Sequence, residues 1–296
     1  MPHLPDRTRL FPWLLRAAWV VLPLTAGPAL ASGLRGHSHP VQVVAAVLLW
    51  LGWAAVLVGT LVPHPLGLTA LRLAAPAAVA AAAVAAGTGK PSPLALAGAV
   101  ASALVAMAVA LAPETGRQYV NGPAYPNERR YPLRVPGPLL LGPLELAGAV
   151  AVGVPVAGAV LLAARAWVAG GLVLAIGLPA ALVLGRSLHN LSRRWLVFVP
   201  AGVVLHDPLT LHDPVLFERR EIEVLRPAPA DSDSLDLTQG APGLALELVL
   251  RQKVAMVLMK PGRRGGESGS SARLLFTPTR PGAVLAEAAG RRLPVG

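Results

Sequence analysis

Apolar runs of about twenty residues recur along the first 190 positions, and no other feature restricts the fold as much. A helix rises about 1.5 Å per residue, so about 20 such residues cross a hydrocarbon core of about 30 Å. Six stretches reach that length: 13–32, 42–62, 70–87, 93–111, 139–164 and 166–184. The second is the strongest and holds Trp50 and Trp53. The third is the weakest, being mostly alanine with Arg72 and Pro76 inside it. The third and fourth also admit a re-entrant pair. The first has arginines, an apolar centre and then Ala29-Leu30-Ala31, the layout of a secretory signal. Uncleaved anchoring and cleavage both stay open for it.

Composition agrees. The chain is 54% hydrophobic and 14% charged, against about 25% charged in soluble domains. No acidic residue stands between Asp6 and Glu114. Up to Arg194 there are 14 Lys and Arg against 4 Asp and Glu, and beyond it 12 against 11. The basic excess therefore sits in short connections between apolar runs, where membrane lipids with anionic headgroups attract it. A nucleic-acid interface needs that excess on a soluble face with interleaved aromatics, so nucleic acid is excluded as a partner. The chain has no cysteine, which removes disulfides and thiolate metal sites. Abundant Ala, Gly and Pro suit a GC-rich bacterial genome.

Orientation follows from the arginines. With the N-terminus inside, the inner connections carry Arg7, Arg9, Arg117, Arg129, Arg130, Arg134, Arg186, Arg193 and Arg194. The outer ones carry Arg35, Lys90 and Arg165. Both termini and the loop at 114–138 are thus expected in the cytoplasm, in a multi-pass protein of the cell membrane. The expected division is a transmembrane domain over 1–190 and a cytoplasmic domain over 191–296.

That loop, ETGRQYVNGPAYPNERRYPLRVPGP, holds all three tyrosines of the protein and four arginines. Long connections without structure of their own are uncommon unless they have a role. Tyr and Arg are typical anchors at protein interfaces, so Tyr119, Tyr125, Arg129, Arg130 and Tyr131 are the candidate partner-binding residues. Tyrosines at headgroup level are the plainer account. Docking of the loop on the tail, by its tyrosines with its arginines facing Glu218, Glu221 and Glu223, is a further expectation.

From Trp195 the period changes from helical to alternating, as in Leu244, Leu246, Leu248 and Leu250. Strands are predicted over 195–199, 203–206, 215–219, 222–225, 244–251, 254–259 and 273–276, divided by Pro, Gly and Asp-Pro turns. A helix over 281–292 closes the chain, with Thr277 or Thr279 as its cap. Seven strands and a helix in about 100 residues make a compact antiparallel barrel or sandwich.

RWLVFVPAGVVLHDPLTL, PVLFERREIEVLRPA and RLLFTPTRPGAVLAEAAGRR resemble the bacterial pleckstrin-homology-like domains. The resemblance implies two near-orthogonal sheets of seven strands plugged by a C-terminal helix. Joined to a multi-helix N-terminal half, it is similar to multi-pass membrane proteins of actinobacteria. Relatives that bind inositide lipids place basic residues in the first strand turn, and Pro200-Ala201-Gly202 has none.

Catalytic chemistry is sparse. Gly87-Thr88-Gly89-Lys90 lacks the remaining glycine and the Ser/Thr of a phosphate-binding loop. His37, His39 and His64 are too few for zinc. His206-Asp207-Pro208 and His212-Asp213-Pro214 read as turns. Asp231, Asp233 and Asp236 lack the spacing of a calcium loop and read as a solvated linker. No metal, cofactor or enzymatic activity is implied. Ionisable residues at membrane depth are functional candidates. Glu145 falls inside the fifth run, with Arg72 as its possible partner on a transport route. The expected role is assembly or scaffolding through the cytoplasmic module, the alternative a transporter or channel with Glu145 as coupling residue.

Overall fold

The computed structural model describes residues 10–259 and 265–296. Arg7 and Arg9, used above for orientation, and residues 260–264, which include part of the glycine-rich turn, lie outside them. The chain forms two compact units. One comprises Met1–Gly122 with Glu145–His189, the other Pro123–Leu144 with Asn190–Gly296.

In the helical unit the six apolar runs are six helices long and apolar enough to cross a membrane: α1 (Phe11–Leu34), α2 (His39–Leu61), α3 (Pro65–Thr88), α4 (Pro93–Leu111), α6 (Pro143–Ala163) and α7 (Trp167–Leu191). A short amphipathic helix, α5 (Pro113–Asn121), follows α4. Proline starts these helices repeatedly because it lacks only an N–H that the first turn leaves unpaired anyway. Ser92 Oγ accepts from Ala95 N at 3.2 Å to cap α4, and His64 Nδ1 accepts from Leu66 N at 3.2 Å to cap α3.

Alanine is the packing surface of this unit. On α4, Ala99, Ala103, Ala106 and Ala110 recur at helical spacing and are fully buried. Ala99 joins Ala26 and Ala29 of α1 and Ala82 of α3 in one buried cluster of alanines, with Leu30, Ala95 and Val100 packed against it. Small residues let backbones approach where the hydrophobic effect cannot drive association. The alanine content that weakens 70–87 as a lone span is therefore what lets α3 pack. Trp19 and Trp53 clasp α1 to α2 reciprocally: each indole N–H donates to the other's carbonyl, at 2.9 and 2.8 Å. In lipid such donors have no water to turn to. Between α6 and α7, Gly158 and Gly177 face Leu174 and Val154, with no room for a side chain.

The β-rich unit has two sheets. The first runs in the order β1 (Arg129–Pro132), β2 (Trp195–Val199), β3 (Gly202–His206) and β4 (Val215–Glu218), all antiparallel. The second runs β5 (Ile222–Pro227), β7 (Leu246–Leu258), β8 (Glu267–Phe276) and the two-residue β6 (Leu235–Asp236). Helix α8 (Pro281–Gly290) packs on β5. Leu196, Phe198, Val203, Leu205 and Phe217 from the first sheet share one core with Leu246, Leu248, Leu274, Phe276 and Val284.

Three expectations change here. The strands predicted over 244–251 and 254–259 are one strand, β7, whose register with β8 breaks between Val249 and Val254. The exposed Arg251-Gln252-Lys253 sits in that break and disguises its continuity. Two strands lie outside the predicted set: β1, which lies in the 114–138 stretch and pairs with β2, Pro132 opposite Trp195, and the two-residue β6, which pairs parallel with β8. Arg280 holds the N-cap position of α8, without a side-chain bond from Thr277 or Thr279.

Arg194 and Asp207 lock the first sheet. Arg194 Nε and Nη2 donate to the two Asp207 oxygens at 2.7 Å each, and Nη1 donates to the Arg134 carbonyl at 2.7 Å. Both side chains are buried, 2% and 0% exposed. The carboxylate also accepts from Leu209 N at 3.1 Å, so the Asp-Pro turn and the ion pair are one device. Removing one partner strands the other's charge, which costs about 3–5 kcal/mol. Asp207→Ala should accordingly raise amide exchange across β2 and β3 by more than a hundredfold, and Arg194→Met with Asp207→Leu together should recover most of the protection.

Candidate functional site

The five loop residues separate by environment. Tyr119 belongs to α5 and the helical unit, where it is 1% exposed. Its ring packs on Gly67 of α3, where a β-carbon would stand 3.2 Å from Cε1. Burial pushes its hydroxyl up to about 12, against the pull of the Arg16 charge, so it stays a neutral donor. Tyr131, on β1, is buried in the core of the β-rich unit and meets Phe198 edge to face at 5.6 Å. Tyr125 is 78% exposed, in the turn before β1.

That turn is held from several sides. Glu128 accepts from Tyr125 N at 3.2 Å and pairs with Arg130 Nε at 2.8 Å. Burial works against the Glu128 charge, but the Arg130 bond and the Tyr125 N–H together hold its carboxyl below the usual range. Arg129 points outward and bonds the Pro126 and Glu128 carbonyls. Across the unit, the Tyr131 hydroxyl donates to Glu287 on α8 at 3.1 Å. Arg291 pairs with Glu287 at 2.6 Å and donates to the Asn127 carbonyl at 3.0 Å. The loop strand is thus tied to the closing helix as well as to β2.

On the other face of the first sheet Arg130 lies over the Trp195 ring at 5.3 Å, and His206 stacks on Trp195 at 5.0 Å. His206 Nδ1 lies 2.6 Å from the Arg193 carbonyl, which only accepts, so Nδ1 carries a proton. Burial pushes the His206 pKa down. The second pair, His212 and Asp213, is exposed at 2.9 Å.

Glu247 on β7 is a site that alternation alone conceals, since the pattern places it outward. It is 1% exposed. The stretch read as a solvated linker folds back over it: the Ser232 and Ser234 hydroxyls donate to Oε1 at 2.8 and 2.6 Å, and Arg226 Nε donates to Oε2 at 2.8 Å. Burial opposes the Glu247 charge, but the Ser234, Arg226 and Ser232 bonds outweigh it and lower the pKa.

The transport candidates are not brought together. Glu145 lies in the first turn of α6 and is exposed. No ion pair joins it to Arg72, which is half-buried on α3 with Nε sealed and unpartnered. Near the same end Arg16 donates to the Thr60 carbonyl through Nε and Nη2, at 3.2 and 3.1 Å, satisfying the C-terminal end of α2. A groove of about 640 Å³ between α6 and α7 is lined by apolar residues such as Val154, Leu172 and Ile176. Among the described residues no group of three or more His, Cys, Asp or Glu is placed to hold a metal.

Two outcomes follow from these contacts. Tyr131→Ala should destabilise the β-rich unit by about 3–5 kcal/mol and raise exchange along β2, whereas Tyr125→Ala should leave both unchanged. The depressed Glu247 pKa contributes stability that is complete above the unfolded-state value of about 4.3. It is lost as pH falls through the lower folded-state value. Glu247→Gln should therefore flatten the acid limb of a urea-midpoint profile below about pH 4.

Compared with protein-family models, curated proteins and solved structures, the chain finds no match in any of the three.

Proposed function

We propose that this is an integral membrane protein of the bacterial cell membrane whose β-rich unit is a pleckstrin-homology-like interaction module on the cytoplasmic side, acting in assembly or scaffolding. The observation that carries the reading is the loop strand. β1 comes from the chain before α6, and its partner β2 from the chain after α7. Both flanks of a helical hairpin therefore feed one sheet. The connection between two spans and the chain after the last span are thus parts of one module, which a simple tail would not require.

The pleckstrin-homology-like reading is supported by a four-stranded antiparallel meander, a second sheet and a closing helix on one core. The turn at Pro200-Ala201-Gly202 follows the second strand of that sheet, and the connection after the first strand carries α6 and α7. The cytoplasmic placement is supported by the arginines between spans. Tyr119 and Tyr131 are engaged in packing, so the partner-facing residues narrow to Tyr125 and Arg129, with part of Arg130. A scaffold suits the exposed Tyr and Arg, which are the residues that anchor protein interfaces. Transport through Glu145 and Arg72 has no such support, since no ion pair joins the two among the described residues.

The test is a photo-crosslinking side chain at Tyr125 in the full chain in cells, with Ala201 as an exposed control. A discrete cross-linked protein from position 125 and none from 201 is expected. Equal labelling from both, or lipid labelling alone, overturns the assembly role. A reporter fused after Gly296 should register cytoplasm, and an external signal overturns the orientation.

A further inference from the structure

Two opposed residues of the β-rich unit each carry a side-chain polar atom sealed from solvent without a hydrogen-bond partner: Arg134 Nε and Thr277 Oγ1. Leu133 bridges Pro278 in antiparallel sense, and Arg134 N donates to the Thr277 carbonyl at 2.8 Å. Arg134 and Thr277 therefore stand opposite each other, and opposed residues of an antiparallel pair send their side chains to one face. Leu133 and Phe276, one position back on each segment, are both in the core. Arg134 and Thr277 thus turn together to the other face. Thr277 is only 2% exposed, and native interiors rarely leave such groups unmatched.

What Arg134 gives the fold is its backbone, the N–H to Thr277 and the carbonyl to Arg194 Nη1 at 2.7 Å. Its guanidinium is half-buried and makes no ion pair among the described residues. That group stays charged at any physiological pH, and a desolvated charge without a partner favours an anion beside it. The chain keeps bulk away from it. Gly243 lies against the guanidinium, where a β-carbon would stand 3.0 Å from Nε and 3.1 Å from Cζ. The turn over 238–243 is held in an uncommon shape, with φ of 57° at Gln239, 65° at Gly240 and 107° at Gly243. Gly137 abuts the Gly240 carbonyl with no room for a side chain. Along the same edge of β8, Leu237 N donates to the Leu275 carbonyl at 3.0 Å and Arg134 N to that of Thr277. Two short segments thus meet end to end beside Thr277, and the turn leaves the edge at that junction.

We propose that this junction binds a phosphate oxyanion, with the Arg134 guanidinium as counter-charge and the Thr277 hydroxyl as a second donor. A tetrahedral anion suits the pair, since the planar fork of arginine takes two oxygens and a hydroxyl can reach a third outside that plane. The turn Pro200-Ala201-Gly202 takes no part. A soluble phosphate and a phospholipid headgroup offer the same group, and the stretch after Arg134 runs through the short 3-10 helix Gly137–Leu141 into α6. The inference rests on the geometry of the β-rich unit and is independent of the assembly role.

The experiment follows amide exchange over 238–243 in the full chain, held in dodecyl maltoside, a detergent without phosphate. Inorganic phosphate and phosphatidylglycerol are added separately, with sodium chloride at matched ionic strength as the control. At about ten times its half-saturating concentration, a bound probe should slow exchange there about tenfold. The slowing should vanish in Arg134→Gln, weaken severalfold in Thr277→Val, and persist in Arg219→Gln, an exposed arginine of the same unit. Slowing by inorganic phosphate supports the site with a soluble phosphate as its source, and slowing by phosphatidylglycerol alone supports it with a headgroup. No slowing with either probe overturns the site, as does equal slowing by sodium chloride or slowing undiminished in Arg134→Gln. Should Arg134→Gln fail to fold, Thr277→Val decides, and undiminished slowing there overturns the proposal.

Discussion

The antiparallel ladder between β1 and β2 is what the β-rich unit depends on. Four residues, Arg129 to Pro132, close one edge of the first sheet and place Tyr131 in the core opposite Leu196. Remove them and β2 becomes an open edge with unpaired backbone groups, the condition that invites mispairing. The α8 contact with Glu287 starts from Tyr131 of this strand, and the carbonyl bonded by Arg194 is that of Arg134, two residues beyond it. Because the strand lies far from its partner in sequence, its pairing closes a loop of about sixty residues. That entropy grows only slowly with length, and the intervening helices α6 and α7 order much of it.

In the helical unit the governing constraint is different. Without water, every donor at depth must find an acceptor inside the protein. The tryptophan clasp of α1 and α2, the alanine seam of α4 and the Arg16 bond to the end of α2 answer that constraint with small residues and backbone carbonyls. Among the described residues, Arg72 Nε, Gln118 Oε1 and the Tyr119 hydroxyl are sealed from solvent in this unit without such an acceptor or donor.

Much of this was legible in the sequence. Six spans follow from length and apolarity alone, because bilayer thickness sets both. The β-rich tail and most of its strands follow from alternation and Asp-Pro or Gly turns. What escaped has physical reasons. Arg129 to Pro132 is too short to show a period of two, and its partner strand is separated from it by two membrane-length helices. Glu247 reads as a solvent-facing position because alternation records side and not cover, and the serines that cover it come from a stretch with no regular pattern. The role of the tyrosines was only partly readable. Spacing cannot say that Tyr119 turns to α3, Tyr131 to β2 and α8, and Tyr125 to solvent.

A cysteine pair tests the loop strand most directly, since the chain has no cysteine of its own. Arg130 and Val197 stand opposite each other in the ladder, within the span a disulfide bridges. The full chain carrying Arg130→Cys and Val197→Cys should cross-link nearly completely under mild oxidation in native membranes. Arg130→Cys with Val204→Cys, a strand farther away, should not. Failure of the first pair, or equal yield from both, would contradict a sheet completed by the loop.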